Sequence, residues 1–499
     1  MQVSVGRSTC SVPGRHPQAA VCDLRYTSEC GRHDMCRVQT MPPHVRIFQL
    51  QRVGYSMKCR LSLSIARALI TSGLLVSSAS VFAITDLETN SAIPFSFSNP
   101  GARSLGMGGA FVGLADDATA AYTNPAGLTQ LVQTEVSVEG RRVETNSPFT
   151  LNGNATFNPY AFSNVTIGNT RNNNSSPSFL SFVLPRGDWS FAFYRHELSK
   201  FNTSFSAGGT ILDDFKINGV KQQVTPFDAA SNLHLVDYGL AVALKANDHI
   251  SVGVDFSYYD FSLTSSRNQF FNNRLLQSVV DFGSDHALAA TLGLRLRFND
   301  QWSAGFAYRS SPKFGYLEGA FGTDSSGNLI TTPLAVINAQ FRVPDVVSGG
   351  LSYHPNDQLV VNFDVDEVYY SKLTSRTNSI FDDGTASYAN ALRHLTVPNG
   401  TELHLGAEYT FASMANPMFV RAGVWHDPRH TIQFNGTPTD GAGLTEAVVF
   451  GGGYGAKMHY ALGGGVVFTT SFLKGLQLDA AYDHSEKIKT ASLSAVYRF

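Results

Sequence analysis

Asn99-Pro100-Gly101-Ala102-Arg103-Ser104-Leu105-Gly106-Met107-Gly108-Gly109-Ala110-Phe111, continued by Asp116-Asp117-Ala118 and Asn124-Pro125-Ala126-Gly127-Leu128, is the stretch on which the fold turns. It is mildly apolar and glycine-punctuated, and it precedes a chain that reads as alternating strands and closes on Tyr497-Arg498-Phe499. Glycines at 101, 106, 108, 109 and 113 let a backbone turn at positive φ and approach a wall closely. They form no dinucleotide fingerprint: counted from Gly106, the third glycine position is Phe111, and no strand precedes. Asp116-Asp117 ahead of Ala118-Thr119-Ala120-Ala121 reads as a helix N-cap. Pro125 cannot continue that helix, so Asn124-Pro125-Ala126 ends it. Too few further oxygen ligands stand nearby for a calcium site.

Working upstream, Met57-Lys58-Cys59-Arg60 and Arg67 make a positive start, Ala68 to Val76 a short apolar run, and Val81-Phe82-Ala83 a small-residue cleavage site. That layout is a secretory signal peptide over 57–83, too short to span a bilayer. Residues 1–56 then read as an N-terminal extension or a mis-called start. All five cysteines (Cys10, Cys22, Cys30, Cys36, Cys59) precede Ala83, and Cys30, His33 and Cys36 fit no common zinc-finger spacing. The mature chain is therefore cysteine-free and needs no disulfide framework. Ten of the 37 Lys+Arg and three of the 39 Asp+Glu fall before residue 84, leaving a net charge of about −9, which argues against nucleic acid as a partner. No cofactor or metal is expected. After the signal, no apolar run approaches the ~20 residues of a membrane helix. A bilayer crossing would have to be a closed barrel, which alone satisfies every backbone donor and acceptor in lipid.

Working downstream, the periodicity is two. Val236, Tyr238, Leu240, Val242 and Leu244 share one face against Asp237, Gly239, Ala241 and Ala243. Ile250, Val252, Val254, Phe256 and Tyr258 oppose Ser251, Gly253, Asp255 and Ser257, and Leu493, Ala495, Tyr497 and Phe499 oppose Ser492, Ser494 and Arg498. A soluble sandwich would alternate in the same way. The spacing is more telling. Candidate strands lie near 133–145, 177–186, 188–206, 232–246, 248–265, 284–299, 301–318, 336–354, 357–372, 401–412, 417–427, 456–470, 474–485 and 487–499. Very short links at Gly187, Asn247, Asp300 and Pro355-Asn356 alternate with long polar ones around 146–176, 207–231, 266–283, 319–335, 373–400 and 428–455. Tight periplasmic turns and long external loops are the asymmetry of outer-membrane barrels. The expected fold is all-β: a 14-stranded antiparallel transmembrane barrel over 133–499, with a small, partly helical N-terminal plug over 84–132. An even count leaves both termini in the periplasm. Phe499, terminal on an alternating strand, reads as the signal for the barrel-assembly machinery.

The glycine-rich opening resembles the hatch of the FadL-type long-chain fatty acid and aromatic hydrocarbon outer-membrane transporters. Val343-Pro344-Asp345 with Gly350, Leu359-Val360-Val361-Asn362-Phe363-Asp364, Glu402-Leu403-His404-Leu405-Gly406-Ala407-Glu408-Tyr409 and Arg421-Ala422-Gly423 resemble its late strands. The resemblance covers roughly 90–499. It implies a barrel blocked by its hatch (Gly101, Gly106, Gly108, Gly109, Asn124, Pro125, Ala126), with the asparagine holding plug to wall. It also implies passive uptake of hydrophobic small molecules, in contact with outer-membrane lipids, by a monomer. Gly106-Met107-Gly108-Gly109 is similar too to a neighbouring branch that serves secretion pathways as acceptor or shuttle, which keeps a binding role as the alternative.

Two further expectations concern sites. Ile93, Phe95 and Phe97, with Leu105, Met107 and Phe111, would line an apolar pocket, where an aliphatic tail gains about 0.8 kcal/mol per buried methylene, or would simply fix the hatch. In the third strand, Arg195 and Glu197 follow Trp189, Phe191 and Phe193 on the same face, and two lipid-facing charges would cost several kcal/mol. A bulge near Tyr194 would turn them inward, and Phe193, Tyr194, Arg195, His196 and Glu197 would mark the sideways opening found in FadL-type transporters, or else a bulge with no hole or a strand end standing in water. Catalysis is not expected: no Gly-x-Ser-x-Gly exists, and His249-Ile250-Ser251 falls at a periplasmic turn.

Overall fold

The computed structural model describes residues 99–499 except 158, 159, 218, 225, 272, 273, 311, 325, 374–394, 431, 432, 438–454 and 471. The expected extension, the signal peptide, Ile93, Phe95 and Phe97 lie outside the described residues. Fourteen antiparallel barrel strands follow the hatch. They are β1 (Glu135–Phe157), β2 (Tyr160–Arg186), β3 (Trp189–Ala207), β4 (Phe227–Lys245), β5 (Ile250–Phe271) and β6 (Arg274–Arg297). Next come β7 (Trp302–Arg309 with Lys313–Gly322), β8 (Ala335–Arg342 with Val346–Asn356), β9 (Leu359–Val368) and β10 (Gly400–Phe411). The last four are β11 (Met418–Asp427), β12 (Lys457–Val467), β13 (Leu476–His484) and β14 (Ile488–Arg498). The cylinder closes where β1 pairs with β14, from Glu135↔Arg498 to Thr145↔Ile488. Pro312 and Pro344 sit where β7 and β8 are interrupted, as expected of residues without an N–H for the ladder.

Closure leaves one face of every strand in the bore and the other on the outside. The outer face carries Phe191, Phe193, Leu240, Val252, Phe256, Leu292, Leu405, Leu462 and Leu493, all well exposed. Aromatic rings edge this band. Trp189, Trp302, Tyr409, Phe411 and Tyr497 stand near the tight turns, and Tyr238, Tyr258, Tyr460 and Tyr482 toward the other rim. An apolar belt of about 25 Å between aromatic girdles is the exterior that a lipid bilayer selects. Among the described residues, no helix is long and apolar enough to cross a membrane; the strands cross.

The tight turns fall as expected, but two loops do not. Residues 146–176 and 266–283 were expected as long links. In the structure β1 and β2 pair out to Phe157↔Tyr160, and β5 and β6 out to Phe271↔Arg274. Asn, Ser and Thr fill these segments because both faces there meet water, and backbone pairing needs no apolar face to persist. The link at 207–231 likewise contains a hairpin, Gly209–Ile217 with Val220–Val224.

Along the long strands the chemistry of the two faces exchanges at one level. Below it, β5 points Asp255 and Ser257 inward and Phe256 and Tyr258 outward. Above it, Tyr259, Phe261 and Leu263 point inward, while Asp260, Ser262 and Thr264 point outward. On β4, Leu233 and Leu235 lie inside and Asn232 and His234 outside. The parity never breaks on β5; the surroundings of the wall change from lipid to water.

Candidate functional site: the hatch, the apolar bore and the β2–β3 seam

The hatch consists of helix α1 (Ala102–Gly106), helix α2 (Ala120–Thr123) and a 3-10 turn Pro125–Gln130. Gly101, Gly108 and Gly109 adopt φ of 93°, 66° and 84°, a region that side chains disfavour. Asp117 accepts from the Thr119 amide at 2.9 Å, so it makes a turn before α2 while Thr119 takes the N-cap position; Asp116 goes instead to Arg103 at 2.6 Å. The expected two-residue cap is thus divided between two tasks.

The plug fits because glycines stand where the wall approaches it most closely. A Cβ on Gly106 would stand 3.0 Å from the Cα of Gly463, and one on Gly423 would stand 2.2 Å from the Gly108 amide. Gly253 and Gly293 are register partners facing Asn124 to Ala126, and Gly305 and Gly350 are partners facing Val112 and Gly113. Leu105, Met107 and Phe111 are wedged at this contact with at most 5 % exposure: Leu105 near Ala481, and Met107 and Phe111 with Leu114 and Val360. Of the two roles considered for them, fixing the hatch is what this packing provides.

Polar groups complete the grip. Asn124 Nδ2 donates to Val112 O (3.2 Å) in the hatch and to Leu294 O (3.1 Å) in β6, while its Oδ1 accepts from Ala126 N (3.3 Å). Asp364 Oδ2 accepts the Phe111 and Val112 amides at 2.5 and 2.6 Å, and His404 Nδ1 meets Gly108 O at 2.7 Å. Arg103 makes a two-pronged contact with Glu408, 2.9 Å on each arm; Glu408 also accepts from Arg421 (2.5 Å), which in turn donates to Asp479 (2.7 Å). Burial disfavours the Arg103 charge, yet Asp116, Glu408 and Asp117 together hold its guanidinium well above the usual range. Removing one member of such a buried set leaves the others uncompensated, at a cost of about 3–5 kcal/mol.

The bore has two chemically different sides. From β9 to β13 it presents Asp364, Asp366, Glu402, His404, Glu408, Arg421 and Asp479. From β3 to β8 it presents a continuous apolar cluster that includes Leu198, Phe201, Leu235, Phe261, Phe314 and Phe341. Phe261 stacks on Phe314 at 4.8 Å and on Phe341 at 5.1 Å. Tyr122 of the hatch adjoins this side, 4.2 Å from the His196 ring and under the Arg309 guanidinium at 3.9 Å.

The seam between β2 and β3 borders the apolar side. Their pairing runs from Arg186↔Trp189 to Phe179↔His196 and stops. Beyond it, among the described residues, β2 pairs with β1 and β3 with β4. Both strands are irregular at this height. An extra residue, Ser178, shifts the β1–β2 register next to Pro177, and Leu198 bulges from the β3–β4 ladder. Leu198 and Ser199 consequently both point inward, and the facing of every later β3 residue flips. The bulge was expected near Tyr194; it lies at Leu198. Tyr194 remains regular and inward, with its hydroxyl 3.0 Å from Asp237 and 2.9 Å from Asp255. Phe193 faces outward and His196 is buried inside. Arg195 and Glu197 are not turned inward: both precede the bulge and keep the outward parity, and the Glu197 side chain is 8 % exposed because it packs against the outward His234 at 3.0 Å and bonds to Ser176. Side chains span the unpaired part of the seam: Thr170 to Thr203 (2.6 Å), Asn174 to Lys200 O (2.5 Å) and Arg195 to Pro177 O (2.7 Å).

A family model described as outer membrane protein transport protein (OMPP1/FadL/TodX) matches residues 89–484. The chain belongs to this FadL/TodX family. Its fold is that of a Pseudomonas aeruginosa FadL homologue (TM-score 0.59, 16% identity, 82% of this chain and 99% of that one). It is likewise similar to the Ralstonia pickettii toluene transporter TbuX (TM-score 0.51, 16% identity, 81% and 99%). A third is a deletion mutant of the TodX monoaromatic hydrocarbon channel (TM-score 0.54, 15% identity, 81% and 100%). A search of curated protein sequences finds no match. As a FadL/TodX protein the chain is an outer-membrane transporter of the type that handles hydrophobic compounds, and not an enzyme.

Sequence reading of this FadL/TodX chain found the hatch but missed its sockets. The wall glycines Gly305 and Gly463 were not singled out, and Gly350, Asp364, Arg421 and Gly423 entered only with the late-strand resemblance, without a role at the hatch. A signal existed: glycines recur at bore-facing parity on successive strands, where an empty lumen would have no use for them.

Proposed function

We propose that this transporter takes up long-chain fatty acids or hydrocarbons passively, and that its cargo leaves sideways at the lower end of the unpaired β2–β3 seam, beside Phe179 and His196, where the outer face of the wall passes from water to lipid. The observation that carries this reading is the end of β2–β3 backbone pairing beside the apolar half of the bore. A hydrophobic molecule on that half gains about 0.8 kcal/mol for each buried methylene. It is blocked below by the hatch, and among the described residues the adjoining seam is held by side-chain hydrogen bonds that can rotate without breaking a ladder. The hatch shifts to admit the cargo, and no energy source is required because the bilayer is the sink.

The test is uptake of radiolabelled oleate and toluene by cells with and without the protein, with mass spectrometry of apolar molecules extracted from the purified barrel. Uptake that depends on the protein, with a co-purifying acyl or aromatic ligand, supports the proposal. Unchanged uptake, with secretion components co-purifying in place of an apolar ligand, would favour the shuttle role.

A further inference from the structure

On the polar side of the bore, Asp366 of β9 lies directly opposite Glu402 of β10, and His404 is the next inward residue along β10. The imidazole is 2 % exposed. Its Nδ1 is 2.7 Å from the Gly108 carbonyl, and a carbonyl only accepts, so Nδ1 carries the proton. In the neutral ring Nε2 is then a bare lone pair, and the structure gives it no hydrogen-bond partner. Asp366 Oδ2 and Glu402 Oε2 both lie 3.5 Å from it. Three electron-pair donors from three side chains thus converge within 4.8 Å of one another, in a buried place where acceptors repel unless a cation joins them. The separation discriminates between cations. An N–H···O bond spans about 2.7–3.2 Å, whereas metal bonds of about 2.0–2.2 Å at a tetrahedral angle hold nitrogen and oxygen about 3.3–3.5 Å apart.

We propose that Asp366, Glu402 and His404 bind a divalent transition-metal ion of zinc type. One nitrogen and two carboxylate oxygens are a donor set such ions accept, with a fourth position left for water. The surroundings orient each ligand as outer partners do in metal sites. Tyr370 donates to the second Glu402 oxygen at 2.9 Å, Gly108 fixes the imidazole tautomer, and the Trp425 ring stacks on the imidazole at 5.2 Å. Because the same imidazole holds the hatch through Gly108, the ion ties β9, β10 and the plug together. It acts as a latch on the hatch and has no part in catalysis.

The test uses the full chain purified in detergent, stripped with a chelator and titrated with Zn2+ by calorimetry and with Co2+ by visible absorption. The expected result is one equivalent of either ion, with a cobalt spectrum of low coordination number. Affinity should be at least tenfold weaker in Asp366→Asn and in His404→Gln, and unchanged in His234→Gln. Heat-modifiable gel migration reports that each variant is a folded barrel, and Asp366→Asn serves should His404→Gln fail to assemble. No stoichiometric metal binding by the folded wild type, meaning an imidazolium between two carboxylates instead, would overturn the proposal. Equal binding by wild type and both variants would overturn it as well.

Discussion

Asn124 illustrates how much one side chain does at the hatch, joining two hatch segments through Val112 and Ala126 and the barrel through Leu294. Asn124→Ala removes the bonds to the Val112 and Leu294 carbonyls and is expected to cost about 1–3 kcal/mol. Faster proteolysis of the hatch in the intact barrel would register that loss; an unchanged digestion rate would contradict it. Gly423 works by absence. Its Cβ would lie 2.2 Å from backbone of the hatch, so Gly423→Leu should unseat the plug and raise ion conductance in planar bilayers well above the wild-type level. At this scale the sequence was half legible. Asn99 to Leu128 identified the plug by their own local chemistry. Their partners on the wall are up to hundreds of residues away, and no local pattern pairs Asp364 with Phe111 or Glu408 with Arg103.

At the scale of the element, a single inserted residue does the work. Leu198 adds one residue to β3 without adding one to β4, so the inward set changes from Tyr194 and His196 to Ser199, Phe201 and Thr203. From sequence, Arg195 and Glu197 read as charges that a bulge must turn inward; in the structure the bulge follows them and they stay outward, at the level where the outer face becomes polar. The bulge at Leu198 was not legible, since both faces of the wall change chemistry at that level and the alternation gives no guide there. The upper halves of β1, β2, β5 and β6 escaped notice for a related reason: pattern reading expects an apolar face, and strands standing in water on both sides have none. The apolar inner face at this level is expected to carry cargo. Phe261→Ser, which removes the ring stacked on Phe314 and Phe341 without touching the seam, should lower uptake of long-chain substrate several-fold while the barrel still assembles. Unaltered uptake would move the pathway elsewhere.

For the whole molecule, the rhythm of short and long links specified the strand number and the topology, because closure in lipid admits few alternatives. The last residue belongs to this scale too. Phe499 closes the ring through its amide to Thr134 O at 3.1 Å, with its side chain 60 % exposed beside Tyr497. Deleting it is expected to reduce the amount of barrel reaching the outer membrane while leaving the uptake per assembled molecule unchanged, measured by quantifying heat-modifiable protein against uptake.

The exit can be closed and reopened in one protein. Thr170 and Thr203 face each other across the unpaired seam with hydroxyls 2.6 Å apart, and the chain after Ala83 contains no cysteine to interfere. Thr170→Cys with Thr203→Cys should form a disulfide that staples β2 to β3. Uptake of labelled oleate by cells carrying this pair is the measurement to make. Loss under oxidation and recovery with reductant is the predicted result; equal uptake in both states, with the crosslink verified by mass, would contradict lateral release through the seam.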